Sequence, residues 1–235
     1  MDKLQKYKPT DKMIDLIGDN YSLLQVMSRF GLSLGFGDKT VKEVCEMNNV
    51  DCQTFLVVVN FMAEGFSRMD GSAADHISIP ALVDYLRQAH IYFLDYCLPA
   101  IRRKLIEAID CSQDDVSFLI LKFFDGYMRE VRKHMEYEEK TVFKYVDTLI
   151  HGNAPKNYQI STFSKHHDQV GERLTELKNI IIKYCPAKAN TNVLNAALFD
   201  IYACEEGLES HCKVEDYLFV PAILKLERRM RENEK

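Results

Sequence analysis

Two short stretches constrain this chain most. His134-Met135-Glu136-Tyr137-Glu138 and His211-Cys212-Lys213-Val214-Glu215 each set a histidine and a glutamate four residues apart. In a helix such residues lie one above the other on the same face. The faces are otherwise mostly apolar. Tyr127, Val131, His134, Glu138, Val142 and Tyr145 share the first, and Cys204, Leu208, His211, Glu215, Leu218 and Ala222 share the second. A carboxylate buried on an apolar stripe is costly unless something compensates its charge. One such pair is no more than a His–Glu contact on a half-wet helix. Two pairs on two inward stripes point to a bound cation.

Helical phase adds two more histidines. His90 lies on the stripe Val83, Leu86, His90, Leu94, Cys97, Ile101, and His167 on Phe163, His167, Val170, Leu174, Leu177, Ile181. His166 falls on the polar face of Gln159, Thr162, Gln169 and Arg173, so phase selects His167 over its neighbour. The ligand-bearing histidines are spaced 44, 33 and 44 residues apart. In an up-down-up-down bundle, successive crossings of one level alternate between long and short paths. That series therefore predicts an all-α, up-down four-helix bundle with one metal layer, to which four helices contribute.

The candidate ligands are His90, His134, Glu138, His167, His211 and Glu215. If both glutamates bridge, two ions share them and each takes two imidazoles. Which histidines pair on which ion is open. Six-coordinate ions keep positions for a bridging oxygen and an exchangeable molecule. Nitrogen and carboxylate donors without thiolate suit iron, with manganese or zinc as substitutes, better than a structural zinc site. The expected cofactor is two non-haem iron ions bridged by an oxo or hydroxo group.

At these residues the chain resembles a known group. His134 to Glu139 reads His-x-x-x-Glu-Glu, and His211 to Pro221 reads His-x-x-x-Glu…Leu-Phe-x-Pro. Both are similar to the hemerythrin-like metal-binding domain. His167-Asp168-x-x-Gly171 and His90…Leu98-Pro99 narrow the resemblance to the iron–sulfur cluster repair di-iron proteins, the repair-of-iron-centres family. That resemblance covers nearly the whole chain and implies the same six ligands. It also implies reaction with nitric oxide, oxygen or peroxide, and repair or protection of iron–sulfur clusters under nitrosative or oxidative stress, with damaged iron–sulfur proteins as partners.

One stretch departs from it. In those proteins the N-terminal loop carries two adjacent cysteines before glycines, whereas here Leu34-Gly35-Phe36-Gly37 stands there, and Cys45 and Cys52 lie further on. Without that thiol pair, packing or pairing of subunits as a homodimer is the role left for the module.

Two other functions compete. One is an oxygen carrier or sensor. Oxygen-carrying relatives place a second histidine four residues after the third-helix ligand, where this chain has Gly171. The other is an adaptor bundle holding a redox-inert metal. The residues do not separate binding from turnover.

Composition bounds the rest. The chain has 235 residues, 47% hydrophobic and 28% charged, enough for one full core and a small appendage. A net charge of −5 argues against non-specific nucleic-acid binding. The basic tail Glu227-Arg228-Arg229-Met230-Arg231 reads as cations complementing a helix C-terminus. No apolar run reaches membrane-spanning length, and Met1 to Lys6 lacks a signal-peptide core, so a cytoplasmic protein without membrane contact is expected. The seven cysteines include no Cys-x-x-Cys pair, which fits a reducing compartment.

The expected organisation is a small helical domain over 1–66, a linker over 67–79 and the bundle over 80–235. In the first, Thr10 or Asp11 caps a helix over Met13 to Phe30, Gly31, Gly35 and Gly37 mark a loop, and Thr40 to Glu43 forms a capping box. Asp51 or Thr54 starts a third helix. Bundle helices are expected over Pro80–Ile109, Asp115–Ile150, Gln159–Tyr184 and Thr191–Arg231, with a bend at Pro99 and a kink at Pro221. Tyr92, Tyr127, Tyr137 and Tyr202 read as core or rim residues. Glu139 reads as solvated or as backing a ligand, and Glu205, Glu206 and Glu209 as a solvated face or a negative edge.

Overall fold

A computed structural model describes residues 6–64, 76–109, 115–153, 158–165, 170–186 and 189–233. Among them every regular element is helical, apart from one antiparallel bridge between Lys12 and Thr40. The all-α expectation holds among the described residues. The chain divides into two compact units, one of residues 1–89, 148–156 and 213–235, the other of residues 90–147 and 157–212.

The first unit opens with α1 (Met13–Asp19), α2 (Leu23–Arg29), α3 (Val41–Met47) and α4 (Cys52–Glu64). The single helix expected over Met13 to Phe30 is two. Asn20 is extended, and its Oδ1 accepts from the Ser22 backbone N–H at 3.1 Å and from Ser22 Oγ at 2.6 Å. A short polar side chain has thus offered the backbone a local alternative to the helix. The break also changes the buried face. Met13, Leu16, Leu23, Val26 and Met27 are buried, while Ile14, Tyr21 and Leu24, which keep a helical period in the sequence, are exposed. Neither expected cap serves α1: Lys12 stands at the N-cap without a side-chain bond, and Asp11 Oδ2 accepts from Lys8 N–H instead.

The capping box is present as expected. Thr40 Oγ1 accepts from Glu43 N–H at 3.3 Å, and Glu43 Oε2 accepts from Thr40 N–H at 2.7 Å. Gly31, Gly35 and Gly37 have φ of 72°, 89° and 64°, so the loop between α2 and α3 needs glycine for its path. Asp51 Oδ1 accepts from Thr54 N–H at 2.7 Å and opens α4. Asn60 is buried and fully used: it accepts from Tyr7 N–H at 2.8 Å and donates to the carbonyls of Tyr7 and Leu56 at 3.0 and 2.9 Å. Residues 65–75, which hold most of the expected linker, lie outside the described residues.

The long helices come next. The first comprises α5 (Ile79–Ile91), a π turn (Tyr92–Cys97) and α6 (Leu98–Ala108). The second is α7 (Asp115–Tyr137), a π turn (Glu138–Val142) and α8 (Phe143–Ile150). A 3₁₀ segment (Ile160–Lys165) and α9 (Val170–Tyr184) follow. The last is α10 (Thr191–Val214), a π turn (Glu215–Phe219) and α11 (Val220–Asn233). These bounds lie within two residues of the expected ones for the first, second and last helices.

The second unit is held by a dry stripe on each helix, including Phe93, Ile101, Ile120, Phe124, Val131, Leu174, Leu177, Ile201 and Leu208, all buried. Charge pairs lie around it. Arg102 donates to both oxygens of Asp125, at 2.6 and 3.1 Å, and holds that carboxyl below its usual range. The pair therefore adds stability above the unfolded carboxylate value, near pH 4, and loses it as pH falls through the lower folded value. Asp125→Asn is expected to cost about 0.5 kcal/mol at neutral pH, for a partly exposed pair. In urea titrations the two proteins should converge as the pH falls below the usual carboxylate range.

Candidate metal centre

Each helix that carries a described ligand breaks its α register at the centre. His90 is the penultimate residue of α5, two residues before the π turn Tyr92–Cys97 opens. Glu138 opens the second π turn and Glu215 the third. In these turns the N–H groups of Leu98, Phe143 and Val220 donate to the carbonyls of Phe93, Glu138 and Glu215, five residues back. Such single π turns concentrate at functional sites. Two have a visible backbone cause. Pro99 and Pro221 follow directly on Leu98 and Val220 and lack the N–H that would continue an α ladder. The bend and kink expected at the prolines are thus register shifts in the turns before them.

The shift moves side chains that α phase misplaces. After His90, Phe93 is fully buried while Leu94, expected on the stripe, is half-buried. After Glu138, Val142 and Phe143 are both buried.

One ligand atom from each of His90, Glu138, His211 and Glu215 lies within 4.8 Å of the others. Glu138 and Glu215 are 0% exposed, His211 1% and His90 3%. Glu138 turns its two oxygens to different imidazoles: Oε2 lies 2.9 Å from His90 Nε2, and Oε1 lies 2.8 Å from His134 Nε2. The His90 and His211 rings meet edge to face, 5.2 Å between centroids, and Phe93 closes on His211 at 6.0 Å. His134 is the most open of the described candidates, with its side chain 16% exposed. His167 and His166 lie outside the described residues, so five of the six candidates have described positions.

The donor chemistry fits a cation. Two carboxylates this close and this dry repel each other, and a positive charge between them removes that penalty. His90 Nε2 lies 2.9 Å from Glu138 Oε2, so a ring nitrogen and a carboxylate oxygen face each other in a dry setting. Nitrogen and carboxylate donors gathered this closely are what a metal needs. Burial alone would lower the pKa of His90, but Glu138 and Glu139 together raise it above its ordinary value.

Glu139, read as solvated or backing a ligand, backs His90: its Oε1 lies 3.0 Å from His90 Nδ1. Phe143 stacks on the same ring, 5.5 Å between centroids and 11° from parallel, a contact hidden from sequence by the π turn. Glu205 forms no free acidic edge, since it accepts from Thr175 Oγ1 at 2.6 Å and pairs with Lys178. Cys212 stays outside the four-residue cluster. Tyr127 is core, packed 6.3 Å from Phe124, and Tyr137 meets Tyr158 through their hydroxyls at 3.2 Å.

No described helix is long and apolar enough to cross a membrane. No curated protein matches the sequence. The family model of the Hemerythrin HHE cation binding domain matches residues 81–223, well over half of the chain and a span that contains every candidate ligand. A buried His/Glu cluster carried on long helices whose sequence fits that model leaves one assignment: the chain belongs to the hemerythrin HHE cation-binding-domain family.

Proposed function

We propose that the chain is a cytoplasmic non-haem di-iron protein that reacts with small oxidants, namely nitric oxide, oxygen or peroxide, and protects or repairs iron–sulfur clusters. Glu138 and Glu215 would be the shared carboxylates that hold the irons, with His90, His134, His167 and His211 as terminal ligands. The observation that carries this reading is Glu138: each of its oxygens lies against a different imidazole, which supports a carboxylate shared between two ions. When bound, two irons supply exchangeable positions and electrons for a diatomic or peroxidic molecule. The protein supplies the rest. Phe93, Phe143 and Val142 keep the donors dry, and dryness strengthens each charge contact at the centre.

The role in cluster repair rests on the resemblance of His167-Asp168-x-x-Gly171 and His90…Leu98-Pro99 to the repair-of-iron-centres proteins. Gly171, where oxygen carriers place a further histidine, favours reaction over reversible storage. The domain over 1–66, without adjacent thiols, pairs subunits in this reading.

Iron analysis of the purified chain, with optical and spin-resonance spectra before and after nitric oxide, tests it. The expected result is two irons per chain and new bands and spin signals when nitric oxide meets the reduced protein. Fewer than one transition metal per chain after anaerobic reconstitution, or spectra indifferent to nitric oxide and peroxide, would overturn it. Stable and fully reversible oxygen spectra would favour the carrier instead.

A further inference from the structure

One turn of chain holds the His90 imidazole on three sides. Glu138 Oε2 stands 2.9 Å from Nε2, Glu139 Oε1 stands 3.0 Å from Nδ1, and the Phe143 ring lies flat against the face. An α-helix would not do this. There the residue one turn above Glu138 is Val142, and consecutive side chains diverge by about 100°. In the π turn Glu138–Val142, Phe143 N–H bonds to Glu138 O instead. Phe143 therefore takes the place above Glu138. With more residues per turn, the angle between Glu138 and Glu139 narrows, and two consecutive carboxylates reach the two nitrogens of one ring. No proline or glycine lies in or beside this turn, unlike the other two.

We propose that Glu139 is the positioning residue of His90, accepting the Nδ1 proton so that Nε2 carries the lone pair offered to the metal. The proposal rests on the metal reading above. A carboxylate behind a ligand imidazole fixes its tautomer and orientation and makes the ligating nitrogen more basic. The placement of Glu139 suits that task. Its side chain is 36% exposed while that of His90 is 4% exposed, so its charge stays partly hydrated. It polarises the ring without adding a third dry carboxylate to Glu138 and Glu215. Phe143 blocks the ring from tilting, and the hydrogen bond blocks it from flipping.

The test uses the full-length chain, with ferrous iron in chelator competition and cobalt(II) as a magnetic probe. Glu139→Ala should weaken ferrous iron binding about 10- to 100-fold. Glu139→Gln keeps an acceptor oxygen for Nδ1–H and should recover most of that loss. In the cobalt(II) protein, the shifted, exchangeable Nδ1–H signal of His90 should exchange with solvent faster in Glu139→Ala and slowly again in Glu139→Gln. His90→Ala is the control. If the native chain binds no metal, or His90→Ala binds as well as native, the metal reading fails and takes this proposal with it. If His90→Ala loses metal while Glu139→Ala keeps native affinity and native proton exchange, this proposal alone is overturned. It is overturned too if Glu139→Ala lowers affinity only in step with a lower melting temperature of the metal-free protein.

Discussion

Glu138→Ala should hold less than half of the iron that the native chain holds. Glu138 is fully buried and touches two imidazoles, at 2.9 and 2.8 Å, so in the proposed di-iron centre its loss would strip a donor from both ions at once. Partners that merely back a ligand are worth 10- to 100-fold in affinity. A shared bridging carboxylate should exceed the upper end, about 100-fold. The variant also separates charge from shape. Glu138→Gln fills the same volume but is neutral and presents only one acceptor oxygen, so it should remain iron-poor. If Gln restored the iron, packing and not the carboxylate would be the requirement. The metal-free Glu138→Ala protein should be no less stable than the metal-free native one, because one of two crowded carboxylates is gone. Elemental analysis, chelator competition and thermal melts check all three statements. Two irons per chain retained in Glu138→Ala would remove Glu138 from the centre.

The sequence carried much of this site because side-chain period and burial are both local properties. His134 and Glu138 lie within one turn, and so do His211 and Glu215, so an α-helical template places each pair correctly. His90 was legible from residues before it, Val83 and Leu86, which are buried as the stripe requires. What failed is what lies just beyond each ligand. A π turn inserts a residue into the phase, and the consequences are Phe93 inside in place of Leu94 and Phe143 against His90. Pro99 and Pro221 hinted at two of the three shifts; nothing in Glu138 to Phe143 signals the other. The N-terminal break failed for a different reason. Ile14, Tyr21 and Leu24 have a sound helical period, yet Asn20 bonds to Ser22 and ends the helix, so the period continued across a gap that composition did not show.

Metal should be the largest single contribution to stability that can be removed without mutation. It binds the folded chain, where at least His90, Glu138, His211 and Glu215 are already gathered within 4.8 Å, and finds no such cluster in the unfolded chain. With free metal a thousandfold above its dissociation constant, the gain is about 4 kcal/mol. For a chain of this size that corresponds to roughly 8–16 °C in melting temperature. Calorimetry with and without a strong chelator should show that difference at neutral pH. The sign with acid follows from the donors. Carboxylates and imidazoles must lose protons to bind metal, so lowering the pH weakens binding and closes the gap between the two melting curves. Glu138→Ala should show almost no chelator effect at any pH, which ties the gain to the centre rather than to ions elsewhere on the surface. Superimposable native curves with and without chelator, from a sample shown to contain metal, would mean that the ions sit outside this cluster. The bundle would then be stable for reasons unconnected with His90, Glu138, His211 and Glu215.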